Sequence, residues 1–189
     1  FIGTNEGLSV VEKNINNSYT ITNYVEEDGL PSNKVRSLFV DSKGYLWIGT
    51  NKGISVLDIK NKKITNITYI LDEMGVSDKF IRAIHEDSNG IYYIGCFLEG
   101  GLIKINPNTK EYKVYKNDEN DTESISNNSV RYITEDLKGN ILIGTSFGIN
   151  ILKPDTDKFQ HYTEEDGLVD NTIYGILVDK GNNLWMSTN

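Results

Sequence analysis

One cysteine, Cys96, is all the chain holds, which excludes an internal disulfide and any cysteine-built zinc site and leaves the cellular compartment open. The two histidines, His85 and His161, are too sparse and too far apart in the sequence to suggest a shared metal centre. No run of eighteen apolar residues is present, so none of the 189 residues reads as a membrane-spanning helix. Nor does a basic-then-apolar leader open the chain; it starts at Phe1, so any such segment is expected to lie outside it. Positive charge is also short. Nineteen Lys and Arg against 27 Asp and Glu give a net charge of −8, which opposes sequence-independent attraction to nucleic acid or to an anionic lipid surface. Glycine loops that cradle phosphate, nucleophile elbows and kinase signatures are missing, and no cofactor is implied.

What the chain does have is repetition. The segment from Val35 to Asn51 can be laid on Ile81 to Phe97, on Val130 to Ser146 and on Ile173 to Asn189. A glycine after an apolar pair recurs at Gly3, Gly49, Gly95 and Gly144, with Ser187 in the fifth place, at spacings of 46, 46, 49 and 43 residues. Each period is rich in Val, Ile, Tyr, Phe and Thr and is punctuated by Gly, Asn and Asp, which is strand-and-turn chemistry. A period of this size fits one four-stranded propeller blade. The fold class is therefore all-β: a β-propeller segment of about four four-stranded antiparallel blades.

Within a blade the pattern predicts strand A at Lys34 to Asp41, B at Tyr45 to Thr50, C at Gly53 to Asp58 and D at Ile64 to Tyr69. By register the blades occupy approximately 1–33, 34–79, 80–128 and 129–171, and 172–189 begins a further one. The A–B turns start with Asp41, Asp87, Asp136 and Asp179, whose carboxylates suit local backbone amides, and their fourth residues, Gly44, Gly90, Gly139 and Asn182, are suited to positive φ.

The stretch Gly29-Leu30-Pro31-Ser32-Asn33-Lys34-Val35-Arg36, continued by Asp41-Ser42-Lys43-Gly44-Tyr45-Leu46-Trp47-Ile48-Gly49-Thr50-Asn51-Lys52-Gly53-Ile54, resembles a nearly complete two-component regulator propeller repeat. Weaker copies run from Asn128 to Ile149 and from Asp170 to Asn189, and the most divergent from Lys79 to Leu102. The resemblance implies the ligand-sensing, extracytoplasmic part of a membrane-anchored sensor histidine kinase, responding to an oligosaccharide or related small molecule. It implies no enzymatic activity in these residues. The rivals are a structural or dimerisation module with no ligand site of its own and, on the same architecture, a propeller lyase or glycosidase.

The chain begins with Phe1-Ile2-Gly3-Thr4-Asn5 and ends with Leu184-Trp185-Met186-Ser187-Thr188-Asn189, the same place in the repeat, so it is expected to be part of a longer protein. Open blade faces would then favour a homo-oligomer, two copies completing one ring. Loops on a rigid scaffold carry binding, and the D–A and B–C loops vary most, so their rim is the candidate functional face. The second residue of strand A is Arg36, Arg82, Arg131 and then Tyr174, which places guanidiniums at one mouth of a propeller channel. These would either bind a carboxylated or sulfated ligand, or pair with acids of the D–A loops. Phe97, in a B–C loop one residue longer than the others, joins Tyr132 and Tyr174 as a candidate aromatic surface for sugar rings, or else packs between blades. Glu27, Asp28, Glu165 and Asp166 lack the spacing of a calcium loop and read as solvated charge.

Overall fold

A computed structural model describes residues 1–153 and 155–189, which form two compact units, 1–81 and 82–189.

In the first unit, β1 (Ile2–Gly3), β2 (Leu8–Lys13) and β3 (Tyr19–Tyr24) form one antiparallel sheet in chain order. A second holds β4 (Val35–Val40), β5 (Tyr45–Thr50), β6 (Gly53–Asp58) and β7 (Lys63–Asn66), also in chain order, the meander of a propeller blade. Leu8, Leu30, Val35, Leu46, Ile48 and Leu57 pack the core between them.

Strand D is shorter than the sequence pattern predicts. Asn66 Oδ1 accepts the Thr68 N–H at 2.9 Å, a local turn that competes with the ladder, and β7 ends at Asn66. The chain then makes a helical turn, α1 (Tyr69–Glu73), which buries Leu71 completely.

In the second unit, β8 (Ile81–Glu86, whose first residue closes the first unit), β9 (Tyr92–Cys96), β10 (Leu102–Ile105) and β11 (Tyr112–Tyr115) form one blade. The next comprises β12 (Val130–Glu135), β13 (Ile141–Thr145), β14 (Ile149–Lys153) and β15 (Lys158–Tyr162), and β16 (Gly175–Val178) pairs with β17 (Leu184–Ser187). Every residue of β9 and of β13 is buried, those on one face of the strand and those on the other alike. That is why these strands read as unbroken apolar runs and not as an alternation.

The repeated glycines set how closely sheets approach. A β-carbon on Gly49 would fall 2.8 Å from Ile81 Cγ2 and 2.9 Å from its carbonyl oxygen; one on Gly144 would fall 2.8 Å from Ile173 Cγ2. Gly3 faces Val35 and Gly95 faces Val130 in the same way. In each case the glycine of one strand B receives the residue that opens the following strand A or, for Ile173, stands two residues before it.

The A–B turns share one design. Asp41 Oδ1 accepts the amides of Lys43 and Tyr45, and Asp87, Asp136 and Asp179 do the same in their own turns. The second oxygen reaches strand B: Trp47 Nε1 donates to Asp41 Oδ2 at 2.8 Å and Trp185 Nε1 to Asp179 Oδ2 at 3.1 Å. Both tryptophans of the chain are thus tied to a turn aspartate. The fourth turn residue has φ of +82° at Gly44 and +61° at Asn182, the conformation that makes glycine and asparagine interchangeable there.

Candidate functional site

The inner strands place their second residues with care. The β4–β5 ladder shifts register between Val35 and Ser37, and the β12–β13 ladder between Val130 and Tyr132, so Arg36 and Arg131 each sit on a β-bulge. A bulge leaves one residue unpaired and re-aims its side chain, which here lifts an arginine out of the strand alternation.

In the second unit these side chains converge. Arg82 Cζ lies 5.4 Å from the centroid of the Phe97 ring, and Arg131 Cζ lies 4.8 Å from the same ring and 4.9 Å from that of Tyr174. Guanidinium and aromatic groups alternate in the order Arg82, Phe97, Arg131, Tyr174, at distances where each contact is attractive. Two further bonds hold the arrangement: Arg131 Nε donates to Ser146 Oγ at 2.9 Å, and Tyr174 Oη donates to Asn189 Oδ1 at 3.0 Å. The Phe97 carbonyl accepts a hydrogen bond from the Ser129 hydroxyl, which anchors the lengthened loop beside the start of β12. Tyr132 opposes Gly144 in the ladder and is partly exposed, outside this series of ring contacts.

Arg36 belongs to the first unit, where its Cζ lies 5.8 Å from the Phe80 ring. Its Nε and the Oδ1 of Asn51 are both buried without a hydrogen-bond partner, although the equivalent groups in the second unit, Arg131 Nε and Ser146 Oγ, bond to each other.

Neither Arg36 nor Arg131 lies within ion-pair distance of a carboxylate among the described residues. In the D–A loops, Glu26, Asp28, Glu164 and Asp166 accept from backbone amides instead. Asp28 Oδ2 caps the Val25 N–H at 2.9 Å, and Asp166 Oδ2 caps that of Thr163 at 2.9 Å. Glu26 and Asn33 exchange side-chain-to-backbone bonds, as do Glu164 and Asn171. This clasp explains the asparagine of the Gly-Leu-Pro-Ser-Asn motif.

A feature that sequence reasoning missed stands at the turns on the other side of the blades. Asp157, in the β14–β15 turn, accepts from Lys104 Nζ and from Lys113 Nζ at 3.1 Å each, and from the Tyr115 hydroxyl. Burial pushes the Asp157 carboxyl up, but these donors outweigh it and hold the group down at about 2. Burial and the Asp157 bond push the Tyr115 phenol well above its ordinary range. A pocket of about 350 Å³ opens beside them, lined by Asp87, Tyr93, Tyr112 and both lysines among others. No repeat marks Asp157, so periodicity gives it no signal. His85 is half-buried in β8, and burial lowers its pKa despite the carboxylates of Glu135, Asp87 and Glu86.

The family model described as two component regulator propeller matches residues 29–52 and 167–189, so those two segments are similar to that family's repeat. No curated protein sequence matches it. Among solved structures, the extracellular domain of a putative one component system from B. thetaiotaomicron is 25% identical with a TM-score of 0.78, over 98% of this chain and 24% of that one. The extracellular domain of a putative hybrid two component system from the same organism is 23% identical with a TM-score of 0.80, over 97% and 24%. A streptogramin B lyase shares the fold at 19% identity and a TM-score of 0.70, over 96% of this chain and 56% of the lyase. The chain thus spans about a quarter of the length of the two extracellular domains, and it is a β-propeller segment of the kind they contain. No helix among the described residues is long and apolar enough to cross a membrane.

Proposed function

We propose that this chain is a ligand-sensing, extracytoplasmic propeller portion of a two-component receptor, and that it binds an oligosaccharide or related small molecule on the rim where Arg82, Phe97, Arg131 and Tyr174 meet. One observation carries the reading. Arg131 is a partly buried cation, set on a bulge, oriented by two rings and a hydroxyl, and with no carboxylate within ion-pair distance among the described residues. A side chain that merely joined blades would be expected to find a counter-ion, since leaving a partly buried charge uncompensated costs stability. Scaffolds that keep such a group preorganised commonly use it for recognition.

In this reading the event at the rim biases the arrangement of the receptor's extracellular part, and the change passes to a kinase. The chain itself performs no catalysis. Likeness to the lyases is one of architecture, and architecture does not assign activity.

The test is a thermal-shift screen of the chain against neutral and acidic oligosaccharides, with Arg82→Ala and Phe97→Ala alongside. Stabilisation by a member of the panel that both variants lose supports the site. A flat response across the whole panel removes the ligand-sensing role from these residues.

A further inference from the structure

We infer that the Arg131 cluster selects a carboxylate on a small ligand of low charge, against both the neutral analogue and a long polyanion; this rests on the rim being the ligand site. The selection follows from which parts of the cluster are already spoken for. A guanidinium carries five N–H donors in one plane. In Arg131, Nε is given to Ser146, while the rings of Phe97 and Tyr174 lie within 5 Å of Cζ. What remains is the pair of terminal nitrogens, an in-plane fork whose spacing matches the two oxygens of a carboxylate.

The aromatic rings, by contrast, are engaged. Phe97 receives the guanidiniums of both Arg82 and Arg131, and Tyr174 receives Arg131. Their π-systems therefore serve to orient cations, and they offer a sugar ring less than an unencumbered platform would.

The surroundings limit how much negative charge can enter. The loops that share this rim in the second unit carry Asp118, Glu119 and Asp121 on one side and Glu164, Glu165 and Asp166 on the other, all of them exposed. The chain as a whole is at −8. A single carboxylate meets the fork at short range, where the contact wins. A polyanion must also lie along the acidic loops, where it is repelled over roughly a Debye length of about 8–10 Å.

The experiment is a titration of the ¹⁵N-labelled chain, following the arginine Nε–H signals, with Arg131→Lys used to assign that of Arg131. The probes are sodium glucuronate, glucose, which differs from it only at C6, and a heparin hexasaccharide as the polyanion. Glucuronate is expected to shift the Arg131 signal saturably in the millimolar range, with glucose and the heparin fragment leaving it in place. Arg131→Lys keeps the charge but loses the fork, and should weaken glucuronate binding about tenfold, read from backbone amides around Ser146. Phe97→Ser, which installs the residue that Ser146 provides at the same repeat position, should weaken it too and serves if the lysine variant does not fold.

An equal response to glucose would overturn the carboxylate assignment while leaving the rim as a ligand site. Tight heparin binding would overturn the limit on charge. Absence of any shift with glucuronate would end the inference, and the oligosaccharide screen would then decide separately whether the rim binds anything else.

Discussion

Gly144 lies so close to Ile173 that a methyl group on its α-carbon would come within 2.8 Å of the isoleucine Cγ2 and 3.1 Å of its carbonyl oxygen. The second contact is with backbone, which cannot rotate away. Gly144→Ala should therefore destabilise the chain by about 1–3 kcal/mol, the usual range for overpacking. Gly175, where the added carbon would meet only the Ser187 hydroxyl at 3.2 Å, supplies the comparison. Urea unfolding of both variants checks this: equal midpoints would mean that the glycine has no steric role.

The two tryptophans should differ. Trp47 donates to Asp41, which is buried, whereas Trp185 donates to Asp179 from an indole that is 64% exposed. Trp47→Phe removes the indole donor from a buried carboxylate and should cost about 1–3 kcal/mol. Trp185→Phe should cost clearly less, since water can replace the indole. Thermal midpoints of the pair, measured side by side, read the difference.

Asp157 gives an acid-side signature. Its folded-state pKa is depressed from the ordinary 3.8 to about 2, so the unfolded chain takes up the proton first as pH falls. The stabilisation is thus complete above about pH 4 and is lost as pH drops through the folded value near 2. Asp157→Asn should lower the thermal midpoint by a constant amount from neutral pH down to about pH 4, with the gap closing below. A gap that stayed constant to about pH 2 would show that packing, and not charge, makes the brace.

His85 acts in the opposite part of the scale. Burial depresses its pKa below the ordinary 6.5, so the neutral form belongs to the folded state, and the associated stability is present above that value and lost as pH falls. His85→Leu, which installs the residue that Leu177 provides at the same repeat position, should be less sensitive than the parent chain to acidification from about pH 7 to about pH 5. Parallel slopes in the two proteins would assign the sensitivity elsewhere.

The regular parts of this molecule are legible in the sequence, and the irregular parts are not. Strands B and C of the second blade, β5 and β6, coincide with the segments predicted from Tyr45 to Thr50 and Gly53 to Asp58, because turn residues bracket them on both sides. The sequence pattern carries strand D too far, since β-rich composition continues through Ile67 and Thr68 while the Asn66 turn has already ended the ladder. The recurrence of Arg36, Arg82 and Arg131 shows in the alignment of repeats. Their setting does not: a bulge has no sequence letter of its own, and the meeting of Phe97 with Arg131 joins residues 34 positions apart in neighbouring blades. The D–A acids look available to those arginines, and only the geometry reveals that Asp28 and Asp166 cap their own turns and that Glu26 and Glu164 clasp asparagines.

The glycine contacts have a consequence for how such a chain can diversify. Because the approach of neighbouring sheets within each unit is set by tight contacts at Gly3, Gly95 and Gly144, it does not depend on the length of the loops that leave the blade. Loop length can therefore differ between repeats spaced by 43, 46 and 49 residues without disturbing those contacts. A rim loop is thus free to change, as the Cys96-to-Gly101 loop does relative to its counterparts, while the glycine contacts beneath it stay in place.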